Sequence, residues 1–207
     1  MKLLKSLLVI VVLSYVIYLL QPTRYPITNR IPSGETVVAF GDSLTYGIGA
    51  AKNMSYPAQL SELIGEKVIN LGVPGDTTTD ALNRIDQLIE QDPRIVLLTL
   101  GGNDLKNGVD KEIAFNNLRT IIHNAQESGA LVIIGGIDIP LFGRGFADDY
   151  RKLAKDTRSV LLPNVFEGIM GNHQLMADSI HPNDKGYKIM AERFHEVMKP
   201  FLIEFDF

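Results

Sequence analysis

Short apolar runs alternate along the chain with segments in which apolar residues recur at helical spacing. The runs predict five strands, at residues 36–40, 67–71, 94–100, 130–134 and 160–162. The helical segments lie at residues 57–64, 77–89, 113–126, 146–155 and 184–201. Strand and helix alternate without a hairpin signal. This pattern predicts an α/β domain with right-handed crossovers and a mostly parallel sheet that helices cover on both faces.

The N-terminal 20 residues form an apolar segment of a different kind. Lys2 and Lys5 precede an uncharged run over residues 6–20. A helix of 18 residues from Leu3 would span roughly 27 Å at about 1.5 Å per residue, close to a hydrocarbon core of about 30 Å. Residues 19–23 offer no small residues for signal cleavage, so we expect residues 1–20 to be an uncleaved signal-anchor helix.

The anchor is followed by residues 21–34, in which prolines and glycine occur without periodicity. This composition predicts an extended tether before a folded domain at residues 35–207. The lysines before the anchor favour an N-in orientation, although Arg24 and Arg30 follow it. We therefore expect membrane attachment through the N-terminal helix, with the domain on the periplasmic or extracellular face. Secretion after signal cleavage is the alternative.

Composition narrows the possible functions. The chain of 207 residues has a net charge of −4 and no dense basic run, so no nucleic-acid partner is expected. It contains no cysteine, which excludes thiolate catalysis, thiolate metal sites and a disulfide framework.

Polar residues follow three of the predicted strands in the same manner. The three segments are Gly41-Asp42-Ser43, Gly75-Asp76-Thr77 and Gly102-Asn103-Asp104. The carboxyl ends of parallel strands meet at one edge of the sheet, where open α/β folds bind their ligands. Ser43 is therefore a candidate nucleophile that the end of a strand delivers to this edge.

A serine nucleophile needs a base, and the base needs a group that fixes its tautomer. His181 suits the first role, because Pro182 restrains the backbone beside it and Asp178 precedes it by three residues. The other three histidines lie in predicted helices or in a polar loop, where a surface position is the simpler interpretation. They are His123, His173 and His195.

Four segments resemble the four blocks of the GDSL or SGNH hydrolases, in the order found in that family. They are GDSLTYG at residues 41–47, NLGVPGDT at 70–77, GGND at 101–104 and DSIHPN at 178–183. The resemblance covers about residue 35 to the C terminus and is nearest to the branch of arylesterases, lysophospholipases and thioesterase I. It implies a flavodoxin-like three-layer α/β/α fold and a cofactor-independent serine esterase.

The resemblance also implies a role for each matched residue. Ser43 would be the nucleophile, His181 the general base and then the acid, and Asp178 the group that orients the histidine. The backbone N–H of Ser43, the backbone N–H of Gly75 and the side-chain amide of Asn103 would form the oxyanion hole. An amide suits this task because it is a neutral donor at every pH.

Three aspartates beside these residues are interpreted as structural acceptors for loop backbones. They are Asp42, Asp76 and Asp104. A divalent metal held by these aspartates and His181 is a minor alternative, since such a site would need neither Ser43 nor an amide at position 103. We expect no metal and no cofactor.

An apolar wall for the acyl group is expected on either side of the fifth strand. The candidates are Leu141, Phe142, Phe146 and Tyr150, with Met170, Leu175 and Met176 nearer to Asp178. Ordinary core packing is an equally good interpretation of these residues. The expected substrates are acyl esters such as aryl esters or lysophospholipids. The alternatives are O-acetyl groups of envelope polysaccharide and, more remotely, a non-catalytic binding protein of the same fold.

Overall fold

The computed structural model describes residues 25–139 and 146–202. Its sheet has five strands: β1 (Thr36–Gly41), β2 (Val68–Gly72), β3 (Pro93–Thr99), β4 (Leu131–Gly135) and β5 (Val160–Leu162). They pair in parallel in the order β2-β1-β3-β4-β5. The prediction of a parallel five-stranded α/β sheet is confirmed, and this strand order is the flavodoxin-like one.

The helices within the described residues form two groups. They are α1 (Ser43–Tyr46), α2 (Tyr56–Ile64), α3 (Thr78–Asn83), α4 (Ile85–Ile89), α5 (Gly102–Asn107), α6 (Lys111–Glu127), α7 (Phe146–Thr157) and α8 (Asp184–Leu202). Helix α2 packs against α8, whereas α6 packs against α3, α4 and α7. Right-handed crossovers in this strand order place α2 on one face of the sheet and α3, α4, α6 and α7 on the other. The result is three layers.

The strands are apolar on both faces because helices cover both. Val37, Val38, Ala39 and Phe40 of β1 are all fully buried. On the face of α2 and α8, the ring of Tyr56 stacks on Phe194 with centroids 4.9 Å apart. Truncation of a buried aromatic residue of this kind costs about 3–5 kcal/mol.

Three local features differ from the predicted elements. Helices α1 and α5 were not predicted, because four and six residues are too few to show a helical period. The segment predicted as one helix over residues 77–89 is two helices that break at Arg84, whose φ and ψ are −118° and 24°. The break is important for the site.

The predicted anchor, residues 1–20, lies outside the described residues, as do residues 21–24 of the predicted tether. Across residues 25–139 and 146–202, no helix has the length and apolar character needed to cross a bilayer.

The described part of the tether differs from the extended segment that was predicted. The Tyr25 hydroxyl donates to the carbonyl of Ser159 at 2.9 Å, and the Thr28 N–H donates to that of Arg158 at 2.9 Å. Residues 25–34 are thus held on the domain by hydrogen bonds to its loops.

Candidate active site

Ser43 is placed at the sheet edge by a sharp turn from β1 into α1. Asp42 caps the helix by accepting a hydrogen bond from the Leu44 N–H at 3.0 Å. A Cβ on Gly41 would lie 2.2 Å from the Thr45 hydroxyl oxygen, so this turn requires glycine. Because Ser43 is the first residue of α1, its own N–H has no acceptor inside the helix.

The side chains of Asp178, His181 and Ser43 form one hydrogen-bonded chain. The distance from His181 Nδ1 to Asp178 Oδ2 is 2.7 Å, and that from His181 Nε2 to Ser43 Oγ is 3.1 Å. An ionised carboxylate can only accept, so Nδ1 carries the proton and the lone pair of Nε2 faces the serine hydroxyl. This arrangement can transfer a proton from the serine to the histidine.

The carboxylate of Asp178 is held by its own loop. Its Oδ1 accepts from the N–H groups of Ile180 and His181 at 2.8 and 2.7 Å. The hydrogen bond from the His181 ring, followed by the Ile180 N–H, lowers the pKa of Asp178 to about 2. Asp178 is therefore ionised across the neutral range, as its contact with the ring requires.

The loop that follows α1 fixes the position of the histidine loop. The Tyr187 hydroxyl donates to the carbonyl of Ile48 at 2.8 Å, and the Ala51 N–H donates to Asp184 Oδ1 at 2.8 Å. Both contacts join the segment after the nucleophile to the start of α8. They hold His181 against the strand edge from which Ser43 projects.

Asn103 lies at the start of α5, after β3. Its Nδ2 group donates to the carbonyl of Asp76 at 2.9 Å and lies 3.4 Å from Asp42 Oδ2. The firm bond to Asp76 uses one amide hydrogen and orients the amide plane. The second hydrogen makes only the long contact with Asp42, so it is the one available to a ligand.

Gly75 lies in the turn that leads to Asp76, whose N–H donates to the carbonyl of Val73 at 3.2 Å. Its φ of +90° is a left-handed conformation that favours glycine. Gly75 does not line the cavity beside Ser43, although it directly precedes the residue that binds the Asn103 amide.

The three neighbouring aspartates are bound by protein donors. Asp104 is fully buried and accepts from the N–H and hydroxyl of Thr78 at 2.9 and 2.7 Å. Asp76 pairs with Arg84 at 2.6 Å. Burial raises the pKa of Asp42 to about 7.

Among the residues that the structure describes, no group of three or more His, Cys, Asp or Glu side chains could hold a metal ion.

A cavity of about 570 Å³ opens beside Ser43. Polar groups of Ser43, Asn103 and His181 line one part of it. Most of its other lining residues are apolar, and they are Leu44, Leu105, Ile137, Ile139, Phe166, Met170 and Ile180. The cavity can therefore hold an apolar group against the serine hydroxyl.

Only part of the predicted apolar wall lines this cavity. Met170 does, whereas Leu175 and Met176 pack against the core. Leu141 and Phe142 lie outside the described residues. Phe146 and Tyr150 do not line it.

Phe146 and Tyr150 belong to the core. They are 6% and 1% exposed and form edge contacts with Phe115 of α6. The Tyr150 hydroxyl donates to the carbonyl of Leu100 at 2.5 Å, directly before the segment that carries Asn103. Phe146 and Tyr150 lie in the core because the helical spacing places them on the apolar side of α7, which faces α6.

Sequence reasoning did not identify several apolar residues of the cavity. Ile137 and Ile139 lie directly after β4, at the same edge as Ser43, and this position was the available signal. Leu105 lies two residues after Asn103, and Phe166 precedes Met170 in the loop after β5.

The chain matches the model of the GDSL-like Lipase/Acylhydrolase family over residues 39–189. It therefore belongs to this family of hydrolases, and the predicted resemblance is confirmed.

Individual relatives agree with this assignment. The chain is 31% identical over 185 residues to thioesterase 1/protease 1/lysophospholipase L1 of Escherichia coli strain K12, a match that covers 85% of this chain and 89% of the relative. It is 31% identical over 172 residues to an arylesterase of Vibrio mimicus, covering 77% of this chain and 86% of the relative. The crystal structure of TesA superposes with a TM-score of 0.76 at 28% identity, covering 81% of this chain and 99% of that chain.

Proposed function

We propose that the protein is a serine esterase that hydrolyses acyl esters through an acyl-enzyme. The observation that carries this proposal is the hydrogen-bonded chain from Asp178 through His181 to Ser43, which ends at an apolar cavity. Such a chain activates a hydroxyl that is otherwise a weak nucleophile at neutral pH.

In the first half-reaction, Ser43 Oγ bonds to the ester carbonyl carbon while its proton moves to His181 Nε2. The carbonyl oxygen becomes an oxyanion, which the N–H groups of Ser43 and Gly75 and the amide of Asn103 would bind. When the tetrahedral intermediate collapses, the C–O bond to the alcohol breaks and His181 returns the proton to the leaving oxygen. Water, deprotonated by His181, then releases the acid from Ser43 by the same route.

The cavity favours substrates with an acyl chain. Its volume of about 570 Å³ lies within the usual range of about 300–1,000 Å³ for ligand sites. An acetyl group would fill only a small part of the cavity. Most of the lining is apolar, so it favours binding only when the substrate buries apolar surface against it. The acyl chain would therefore lie among Leu105, Ile137 and Ile139.

Lysophospholipids are the substrates that we favour. Lys106 is the lysine among the described lining residues, and it forms no ion pair within the described part of the chain. A phosphate in the leaving group would gain a partner there. One of the relatives is named as a lysophospholipase, which also supports this substrate class.

We also propose that residues 1–20 anchor the enzyme, with its domain on the outer face of the cytoplasmic membrane. The uncharged run at residues 6–20 supports this arrangement, and lysophospholipids would be accessible there. Protease treatment of intact spheroplasts should degrade the domain. Protection from the protease until lysis would reject this topology.

The full-length protein in detergent can be assayed with p-nitrophenyl esters from acetyl to palmitoyl. We expect kcat/KM to rise beyond acetyl, and Ser43→Ala to abolish activity at every length. Ile139→Trp should shift the preference to shorter chains, because the larger side chain takes up part of the cavity. Activity with the acetyl ester alone would favour the polysaccharide O-acetyl esterase. Activity that survives Ser43→Ala would reject the serine mechanism.

A further inference from the structure

Arg84 occupies the break between α3 and α4, and its side chain is only 11% exposed. Its Nε donates to Asp76 Oδ2 at 2.6 Å. Its Nη1 donates to the carbonyl of Leu71 at 3.0 Å, and its Nη2 donates to that of Gly41 at 2.9 Å. The guanidinium also lies 4.2 Å from the centre of the Phe40 ring. One side chain thus joins the carboxyl ends of β1 and β2 to the loop that follows β2.

These acceptors belong to the segments that carry the proposed oxyanion donors. Gly41 stands two residues before Ser43. Asp76 directly follows Gly75, and its carbonyl accepts the Asn103 amide at 2.9 Å. Arg84 is therefore linked through Asp76 to Gly75 and Asn103, and through Gly41 to the turn that carries Ser43.

We propose that Arg84 is a positioning residue that holds the oxyanion donors in register. This inference rests on the proposed esterase function. The Arg84 side chain is almost buried and each of its three nitrogens donates to an acceptor of the protein, so it would act through Asp76 and Gly41 and not on the substrate.

Arginine is chemically suited to this position. Three acceptors at different angles require a planar group with several N–H donors, which guanidinium provides and a lysine ammonium does not reproduce. Loss of the guanidinium would also leave the nearly buried carboxylate of Asp76 without its partner, so the loop that contains Gly75 would relax towards solvent. A displacement of about 1 Å at a catalytic group can cost about 100-fold in rate.

Arg94 provides a matched control at the opposite edge of the sheet. Its side chain is 12% exposed, pairs with Glu66 and donates from Nε to the carbonyl of Glu35 at 3.3 Å. It thus also bridges a carboxylate and a strand-end carbonyl. None of the proposed oxyanion donors lies near these partners in the sequence.

The test compares Arg84→Met, Arg84→Lys and Arg94→Met in the full-length protein. kcat and KM are measured with a neutral p-nitrophenyl ester, and active sites are counted by phosphonate titration. We expect Arg84→Met to lower kcat per titrated site by about 10- to 100-fold with KM within twofold. Arg84→Lys should recover only a small part of this loss. Arg94→Met should lower Tm but leave kcat per site within twofold.

Equal kcat per site in Arg84→Met and the wild type would overturn the proposal, as would equal losses in the two methionine variants. If Arg84→Met does not fold, Arg84→Lys and Asp76→Asn give the same readout. We expect each variant to lower kcat. The double variant should lose less activity than the product of the two single losses, since both substitutions break the same contact between Arg84 and Asp76. Independent effects of the two would reject the shared role. Wild-type and Ser43→Ala activities in this assay test the esterase function separately.

Discussion

At each edge of the sheet, an arginine bridges a carboxylate and the backbone, but the two arginines serve different purposes. At the amino edge, Arg94 bridges Glu66 and the backbone before β1. At the carboxyl edge, Arg84 bridges Asp76 and the backbones that end β1 and β2. Both arginines are almost buried and both connect neighbouring strands.

The edges differ in what surrounds the arginine. Glu66 at the amino edge has a side chain that is 36% exposed. The carboxyl edge contains Asp42 and Asp104, which are 2% and 0% exposed, beside the triad. Buried carboxylates carry a desolvation cost that the amino edge avoids. Buried carboxylates among the described residues thus lie where the loops carry reactive groups, so perturbations of equal structural size should affect activity at one edge only.

The largest effect is expected from Asp178→Asn. The variant keeps the shape of the side chain but cannot hold the His181 tautomer, so kcat should fall by about 10⁴-fold. Steady-state kinetics with a p-nitrophenyl ester measures this loss. The matched amino-edge variant, Glu66→Gln, should retain kcat within twofold. A comparable loss in Glu66→Gln would remove the distinction between the edges.

A smaller effect is expected from Asn103→Ala. Removal of one oxyanion donor should lower kcat by about 10²- to 10³-fold, with little change in KM, because the donor acts mainly in the transition state. Asn29→Ala is the control, since the Asn29 amide binds the carbonyls of Gln126 and Ala130 near the start of β4. It should affect stability alone. An Asn103→Ala enzyme with normal kcat would remove this amide from the mechanism.

The smallest effect is expected in the pH dependence of stability. The pKa of Asp42 is raised to about 7, so the folded state binds its proton more tightly than the unfolded state does. Asp42 therefore contributes stability below about pH 4 that is lost as the pH rises to about 7.

Thermal unfolding from pH 4 to pH 8 measures this contribution. The wild-type Tm should decline by a few degrees more than that of Asp42→Asn, since about 1 kcal/mol moves Tm by about 2–4 °C in a chain of this size. Parallel curves for the two proteins would show that the Asp42 carboxyl does not titrate in this range.

The sequence was sufficient to predict the sheet and to select the residues that meet at its carboxyl edge. Strands covered on both faces are continuous apolar runs, and the position of β5 was predicted to the residue. The same pattern brought Ser43, Asn103 and His181 to one cavity, because parallel strand ends and the loop before the last helix reach the same edge.

The sequence pattern was insufficient to assign residues whose type fits two environments, such as apolar residues that suit either the core or a substrate site. Phe146 and Tyr150 follow Leu141 and Phe142, which were predicted to form part of the same apolar wall, yet their spacing equally fits a helix face buried against α6. Arg84 was not selected, because a single arginine in an amphipathic segment is typical of a solvated surface. Its inward position depends on the break between α3 and α4, which the helical period of the segment did not predict.

Mass spectrometry of the protein after inactivation by a p-nitrophenyl phosphonate tests the central claim most directly. We predict that activity and the unmodified mass disappear together, with one phosphonyl group per chain located on Ser43. The Ser43→Ala protein should gain no mass. An inactivated enzyme whose single adduct lies on another residue, or an enzyme that remains active with Ser43 fully modified, would contradict the account.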